Sequence, residues 1–205
     1  MTVKNRLVYT LVAEGYAESS FIATYMLRMA EMYAIQAVKS RLGLRPGKSN
    51  KSEVYLECQN ILKDSINKQY DLFIVGVDLD KPDHEKDQPV HKSECDKLVT
   101  ALGKPYQRFS DRIIIYVPVQ AIEHWLIYQV HKVQGTKMIV RDSVESAHQD
   151  KFKEQLYKKR RDGDVMQKVA REIAEKADFN ELAKQSRSFC HFHEQVTAFL
   201  GSFSQ

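Results

Sequence analysis

The chain has 205 residues, 43% hydrophobic and 28% charged, a composition that is typical of a folded globular protein and excludes disorder, collagen and coiled-coil arrays. Three cysteines are too few for a disulfide scaffold and no window approaches the ~20 apolar residues of a membrane span, so we expect a cytoplasmic protein without membrane contact. The net charge of +4 is small, but residues 1–50 carry seven basic and three acidic side chains, residues 51–150 thirteen and sixteen, and residues 151–205 eleven and eight. An acidic centre with basic flanks suits a metal site that is approached by a polyanion.

The first apolar run, residues 6–13, predicts a β-strand covered on both faces, because its side chains are almost continuously apolar. The run is too short for a signal peptide and ends at Glu14-Gly15, where glycine permits a tight turn. A helical period then begins at Ala17. Its predicted buried stripe consists of Phe21, Tyr25, Met29, Met32 and Tyr33.

Residues 41–51 contain two glycines and one proline without any periodicity, which predicts an exposed basic loop. Ser52 is predicted to cap the helix that follows this loop. Strands and helices are then predicted in alternation: a strand at residues 71–77, a helix at 93–102, a strand at 112–119 and a helix at 121–132.

The last 55 residues contain no convincing strand, and helices are predicted there at residues 164–177 and 186–200. Strands that alternate with helices predict an α/β fold with a Rossmann-like parallel sheet flanked by helices. We expect residues 1–132 to form this α/β domain and residues 133–205 to form a helical extension packed on it.

Carboxylates follow two of the predicted strands at the point where each strand ends. Glu14 follows the first strand, and Asp78 and Asp80 follow the second. The carboxyl ends of parallel strands meet at one edge of a sheet, so we expect these acids to converge within one cation-coordination sphere. Hard oxygen ligands select Mg²⁺ or Mn²⁺. The competing interpretation is that each acid only caps a helix N-terminus.

This pattern resembles the TOPRIM domain of topoisomerases, bacterial primases, recombination proteins and OLD-type nucleases. The resemblance covers about residues 5–131, and extends loosely over nearly the whole chain after Lys132. It is strongest for small stand-alone and OLD-type members, which are often encoded beside an AAA-type or ABC-type ATPase. Beyond Glu14, Gly15, Asp78 and Asp80, the residues that carry it are Glu18, Phe21, Glu123 and Trp125 in PVQAIEHWL, the set Tyr157, Lys159 and Gly163, and, approximately, Ser188, Phe189 and Phe192.

The resemblance implies a TOPRIM-like fold and a metal-dependent phosphoryl-transfer site. Glu14 would act in acid–base chemistry or bind metal, and Asp78 and Asp80 would hold Mg²⁺. Glu18 lies one helical turn after Glu14 and can reach the same metal.

Two further residues belong to the predicted site, each with a competing interpretation. Glu123 could be a metal ligand or a helix-start carboxylate that the helix dipole favours. Lys159 could be a catalytic lysine that neutralises a phosphate, or it could belong with its basic neighbours to a solvated face.

The chain has no tyrosine element of the topoisomerase type and no Walker A sequence, so hydrolysis of a nucleic-acid phosphodiester fits better than topoisomerase or primase chemistry. The predicted function is a Mg²⁺- or Mn²⁺-dependent nuclease, the effector of a bacterial or phage-defence pair with an ATPase. The alternatives are a non-catalytic subunit that binds a partner ATPase or nucleic acid, and a small-molecule phosphohydrolase. Assembly as a homo-oligomer is left open.

Basic side chains on both sides of the acidic centre are predicted to bind the DNA or RNA backbone, with an affinity that depends on salt. They are Arg41, Arg45, Lys48, Lys158, Arg160 and Arg161. A zinc site at Cys190, His191 and His193 is disfavoured, because these side chains point to different helix faces and no second ligand pair has suitable spacing. We expect His193 to be a hydrogen-bonded core histidine.

Overall fold

The computed structural model describes residues 5–158 and 162–204. Its centre is a parallel sheet of four strands: β1 (Asn5–Val12), β2 (Ile35–Lys39), β3 (Leu72–Gly76) and β4 (Ile113–Tyr116). The strand order across the sheet is β2-β1-β3-β4. The predicted α/β class, a parallel sheet flanked by helices, is confirmed, and the arrangement is compatible with a Rossmann-like fold.

Helices connect the strands and form most of the chain after β4. Between the strands lie α1 (Tyr16–Met32), α2 (Lys51–Asn67), α3 (Pro89–Leu102), α4 (Lys104–Phe109) and a 3₁₀ turn (Ser110–Arg112). After β4 come α5 (Ile122–Gln129), α6 (His131–Gln134), α7 (Gln149–Tyr157), α8 (Gly163–Lys176), α9 (Phe179–Gln185) and α10 (Arg187–Phe203). No helix in the described ranges is long and apolar enough to cross a membrane.

The strand order reverses direction between β1 and β3. The chain leaves β1 through α1 to reach β2 on one side, and then returns through α2 to β3 on the other side. In open α/β sheets, ligands bind outside the carboxyl ends of the strands at such a switch point. The topology therefore predicts a ligand site at the loops that follow β1 and β3.

Side chains of the strands alternate between two apolar cores, as the period of two in a strand requires. Phe73 and Val75 point to the core under α2 and α3, whereas Leu72 and Ile74 point to the core under α1. The helices after β4 complete the α1 core with an aromatic cluster. Its members are Phe21, Tyr25, Trp125, Phe179, Phe189 and Phe192.

One side chain of α10 closes part of the free edge of β4. The Gln195 amide donates to the carbonyl of Ile115 (2.8 Å) and accepts from the Ile115 N–H (3.1 Å). This side chain therefore pairs with both backbone groups of an edge-strand residue.

Strand β2 was not predicted from the sequence. It follows α1 after only two residues, and just two of its side chains, Ile35 and Ala37, are buried, so its pattern merges with the helical period before it. The predicted burial of Met32 is wrong, because this side chain is 71% exposed at the end of α1.

The cap of α2 also differs from the prediction. Asn50, not Ser52, caps the helix: its side chain accepts from the Glu53 N–H, and Glu53 reaches back to the Asn50 N–H. This reciprocal pair satisfies two helix-end donors at once, which a serine two residues later cannot do.

Candidate active site

Four carboxylates line a cleft of about 340 Å³ at the switch point of the sheet. Glu14 follows β1 and Asp78 follows β3, so the sheet itself brings these two together. Glu18 enters from the first turn of α1 and Glu123 from the first turn of α5. All four acids were predicted as site residues: Glu14, Asp78 and Glu123 from their positions at strand ends, and Glu18 from the helical turn after Glu14.

Glu18 is held by the backbone at the start of α1. Its Oε2 accepts a 2.7 Å hydrogen bond from the Gly15 N–H, at the start of α1. The side chain is only 2% exposed, and burial followed by the charge of Glu14 raises the pKa of its carboxyl well above the ordinary value. The hydrogen bond from Gly15 therefore holds the Glu18 carboxyl in the cleft, where burial disfavours its charged form.

Asp78 connects the end of β3 to the start of α5. Its Oδ1 accepts a 2.9 Å hydrogen bond from the Ile122 N–H. Burial, followed by the charges of Glu18, Glu123 and Glu14, raises the pKa of Asp78 well above the ordinary value. Burial and then the charge of Asp80 also raise the pKa of Glu14. The acids of the cleft therefore repel one another.

The donor set fits a hard divalent cation. Two carboxylate oxygens, Glu14 Oε2 and Glu18 Oε1, are buried without a hydrogen-bond partner among the described residues. Carboxylate oxygen is the ligand type that Mg²⁺ and Mn²⁺ prefer. However, within the described ranges no three of these acids bring ligand atoms to within 4.8 Å of one another. The expected convergence within one coordination sphere is thus not seen, and the side chains have to close in to share a cation.

Asp80 lies at the rim of the site rather than in the cleft lining. Its backbone adopts φ 60°, a left-handed conformation that breaks the extended run after β3. The exposed carboxylate pairs with Lys51 at 3.3 Å. The expected convergence of Asp80 with Glu14 and Asp78 fails for this reason, although the charge of Asp80 still raises the pKa of Glu14.

Glu123 receives a partner from α7, which was not predicted as a helix. Its Oε1 accepts a 3.0 Å hydrogen bond from the Tyr157 hydroxyl, and both side chains are buried. Lys153 lies one helical turn before Tyr157, lines the same cleft and lowers the pKa of Asp78. In the sequence, the spacing of four residues between Lys153 and Tyr157 indicates that the two side chains lie on the same face of a helix.

Lys51 is a second cation at the site, and it was not among the predicted site residues. Its Nζ donates to the carbonyl oxygens of Asp78 and Leu79 and forms ion pairs with Asp80 and with Glu94 (2.8 Å). Lys51 therefore fixes the backbone of the loop that presents Asp78.

The predicted basic loop borders the cleft. Arg41, Arg45 and Lys48 are exposed, as expected, and the loop is held to the site because Ser49 Oγ donates to the Glu14 carbonyl at 3.1 Å. Lys158 is exposed at the end of α7. The other three basic residues of the prediction, Lys159, Arg160 and Arg161, lie outside the described residues.

Tyr16 packs between two glycines at the mouth of the cleft. A Cβ atom on Gly163 would lie 2.7 Å from the Tyr16 ring, and one on Gly47 would overlap it. We predict that Gly163→Ala lowers stability by about 1–3 kcal/mol, because the ring has to move. Gly201→Ala in α10 is the matched control, since its Cβ meets only Tyr33 at 3.9 Å. Thermal unfolding measures both, and equal melting temperatures for the two variants would contradict the packing.

The histidines near the C-terminus point in different directions, as expected. His193 is buried, and its Nδ1 lies 2.8 Å from the Tyr25 hydroxyl, so it is a hydrogen-bonded core residue. His191 instead faces α3, where it meets His91 and Cys95. His91 and Cys95 were not among the predicted site residues, although a histidine and a cysteine four residues apart indicate a shared helix face.

Comparison with known proteins adds no identification. No family model, curated protein or solved structure matches the chain. The proposed function therefore rests on the fold class and on the geometry of the acidic cleft.

Proposed function

We propose that the chain is a divalent-metal-dependent nuclease with a TOPRIM-like fold, which hydrolyses a phosphodiester of DNA or RNA. The observation that carries this proposal is the group of four carboxylates at the switch point, two of which keep a buried oxygen without a partner in the described chain. Such a concentration of like charge is destabilising unless a cation neutralises it.

The cation, Mg²⁺ or Mn²⁺, would be held by Glu14, Glu18, Asp78 and Glu123. The carboxylate of Asp80, at the rim of the cleft, would add its negative charge to the attraction for the cation. When bound, the cation supplies charge neutralisation at the phosphoryl oxygens and a lower pKa for a water molecule. Glu14 is the residue we assign to proton transfer, because it is half-buried at the cleft and burial raises its pKa in the direction of neutral pH, where a general acid or base is most effective.

The cations around the cleft favour an extended polyanion over a small phosphate ester. Lys153 lies in the lining, where its charge can face a phosphate. Arg41, Arg45 and Lys48 are exposed on the loop that Ser49 ties to Glu14. Side chains outside a cleft add affinity only for a substrate that continues beyond it, and a nucleic-acid backbone does so. Pairing with an AAA-type or ABC-type ATPase in a defence system is part of this proposal and rests on the resemblance alone.

The test is cleavage of labelled single- and double-stranded DNA and RNA by the purified chain. We expect products in Mg²⁺ or Mn²⁺ and none in EDTA. Glu14→Gln is expected to lower the rate by about 10²–10⁴-fold, the usual contribution of a proton-transfer group. Glu31→Gln is the matched control, because Glu31 is exposed near the other end of α1.

Each alternative function gives its own result. Salt-sensitive binding of an oligonucleotide without cleavage in any divalent cation would support the non-catalytic subunit and overturn the nuclease. Hydrolysis of free nucleotides with no effect on polymers would support the small-molecule phosphohydrolase. Equal rates for wild type and Glu14→Gln would remove Glu14 from the chemistry.

A further inference from the structure

A second cluster of potential metal ligands lies between α3 and α10, in a cleft that shares no lining residue with the acidic cleft. His91 and Cys95 are one helical turn apart on α3, and His191 faces them from α10. One ligand atom from each side chain lies within 4.8 Å of the other two. Within residues 5–158 and 162–204, this is the one set of three histidine, cysteine or acidic side chains that is so close.

Individual contacts agree with this convergence. Cys95 Sγ lies 4.0 Å from His91 Nε2. The rings of His91 and His191 meet edge to face, with centroids 5.4 Å apart. The three donors therefore face a common point, as ligands of a small ion must.

Both histidines are oriented by contacts outside the cluster. The main-chain N–H of His91 donates to Asp83 Oδ2 at 2.8 Å, and the His91 ring contacts the backbone of Val117. His191 Nδ1 lies 3.2 Å from Gln195 Nε2, which is in turn fixed by Ile115. A ring contact with a backbone group, as His91 makes, is one that typically orients a metal-binding histidine.

We propose that His91, Cys95 and His191 bind Zn²⁺. Two imidazoles and one thiolate are a donor set that selects zinc over the hard cations suited to the acidic cleft. The adjoining cleft, of about 480 Å³, leaves room for water as a fourth ligand. As the Zn–S bond forms, the S–H bond of Cys95 breaks and its proton passes to solvent.

Binding at this position would join the C-terminal helix α10 to α3. The two helices belong to parts of the chain about 100 residues apart and pack on different elements of the fold. A bound ion therefore stabilises the folded chain, because the ligands are brought together only when it folds.

The experiment uses the full chain after EDTA treatment and dialysis. Titration with Zn²⁺ against a chromophoric chelator is expected to give one site per chain, and Co²⁺ is expected to give a thiolate-to-cobalt charge-transfer band. Cys95→Ser is expected to abolish the band and weaken zinc binding by at least about 100-fold, more than loss of an outer hydrogen bond to a ligand costs. Cys190→Ser is the matched control, since Cys190 lies beside His191 and its thiol donates to Glu194.

The wild-type spectrum tests the proposal without relying on any variant. Absence of the charge-transfer band in the wild type, or no zinc binding, would overturn it. A band that survives in Cys95→Ser, with a native circular dichroism spectrum, or one that disappears in Cys190→Ser would also overturn it. Loss of the band in His191→Ala with retained secondary structure would support the assignment of the ligand from α10.

Discussion

Asp78→Asn is expected to raise the melting temperature of the metal-free protein and to remove most of the stabilisation by Mg²⁺ or Mn²⁺. Asparagine keeps the Oδ1 atom that accepts the Ile122 N–H, and it removes a charge that burial and three neighbouring acids disfavour. Each kcal/mol gained would appear as a shift of about 2–4 °C in a chain of this size. Thermal unfolding of both proteins, with and without millimolar cation, measures the effect.

The pH dependence of stability tests the same repulsion with a defined sign. The pKa values of Glu18 and Asp78 are raised in the fold, so the folded state binds their protons more tightly than the unfolded state. Their contribution is complete below the unfolded value, near pH 4, and is lost as the pH rises through the folded pKa.

Metal-free wild type is therefore expected to lose stability relative to Asp78→Asn as the pH rises from about 4 toward neutrality. Asp111→Asn is the control, because its carboxylate is 76% exposed next to Arg112. A constant difference between wild type and Asp78→Asn across this range would contradict the assigned repulsion.

A chain that ends at Lys132 is expected not to fold on its own. The face of α1 that carries Phe21 and Tyr25 is covered by residues that this chain would lack, and Tyr25 meets Phe179 with ring centroids 4.7 Å apart. Each fully buried side chain of this kind contributes about 1.5–3 kcal/mol, whereas a whole domain is stable by only about 5–15 kcal/mol. Circular dichroism and thermal unfolding of the shortened chain measure the outcome.

A pair of point variants in α10 tests the same packing in the full chain. Phe189→Ala is expected to cost about 3–5 kcal/mol, because the ring is fully buried against Trp125 at a centroid distance of 5.0 Å. Phe199→Ala, on the same helix but partly exposed, is expected to cost less. Cooperative unfolding of the 132-residue chain, or equal costs for the two variants, would show that the C-terminal helices are dispensable.

Most of the sheet could be predicted because three strands are continuous apolar runs between polar residues. β2 could not, because an edge strand with two buried side chains carries too little periodicity after a long helix. Helix α7 was missed for a related reason. Its buried residues, Phe152, Leu156 and Tyr157, are set among charged side chains, and the helix is defined by its packing against α5 and α8.

The acids of the cleft could be predicted from the sequence, because the strand order brings Glu14 and Asp78 to one edge of the sheet and the first helical turn adds Glu18. The position of Asp80 was not, because it depends on a left-handed backbone at a residue other than glycine. Lys153 and the cluster of His91, Cys95 and His191 depend on contacts between distant helices. The four-residue spacings place Lys153 with Tyr157, and His91 with Cys95, on shared helix faces, but no local pattern shows which distant helix each face meets.

The two edges of the sheet differ, because Gln195 covers part of the β4 edge. An exposed edge strand is a template on which another chain can add a strand, and proteins limit this by covering or blocking the edge. By pairing with both backbone groups of Ile115, Gln195 occupies that template on β4. β2 has a strand on one side only, and its other side has no strand neighbour in the described sheet. At the β4 edge, by contrast, pairing with a second copy or an extended peptide is blocked at Ile115 by a side chain of the same helix that holds His191.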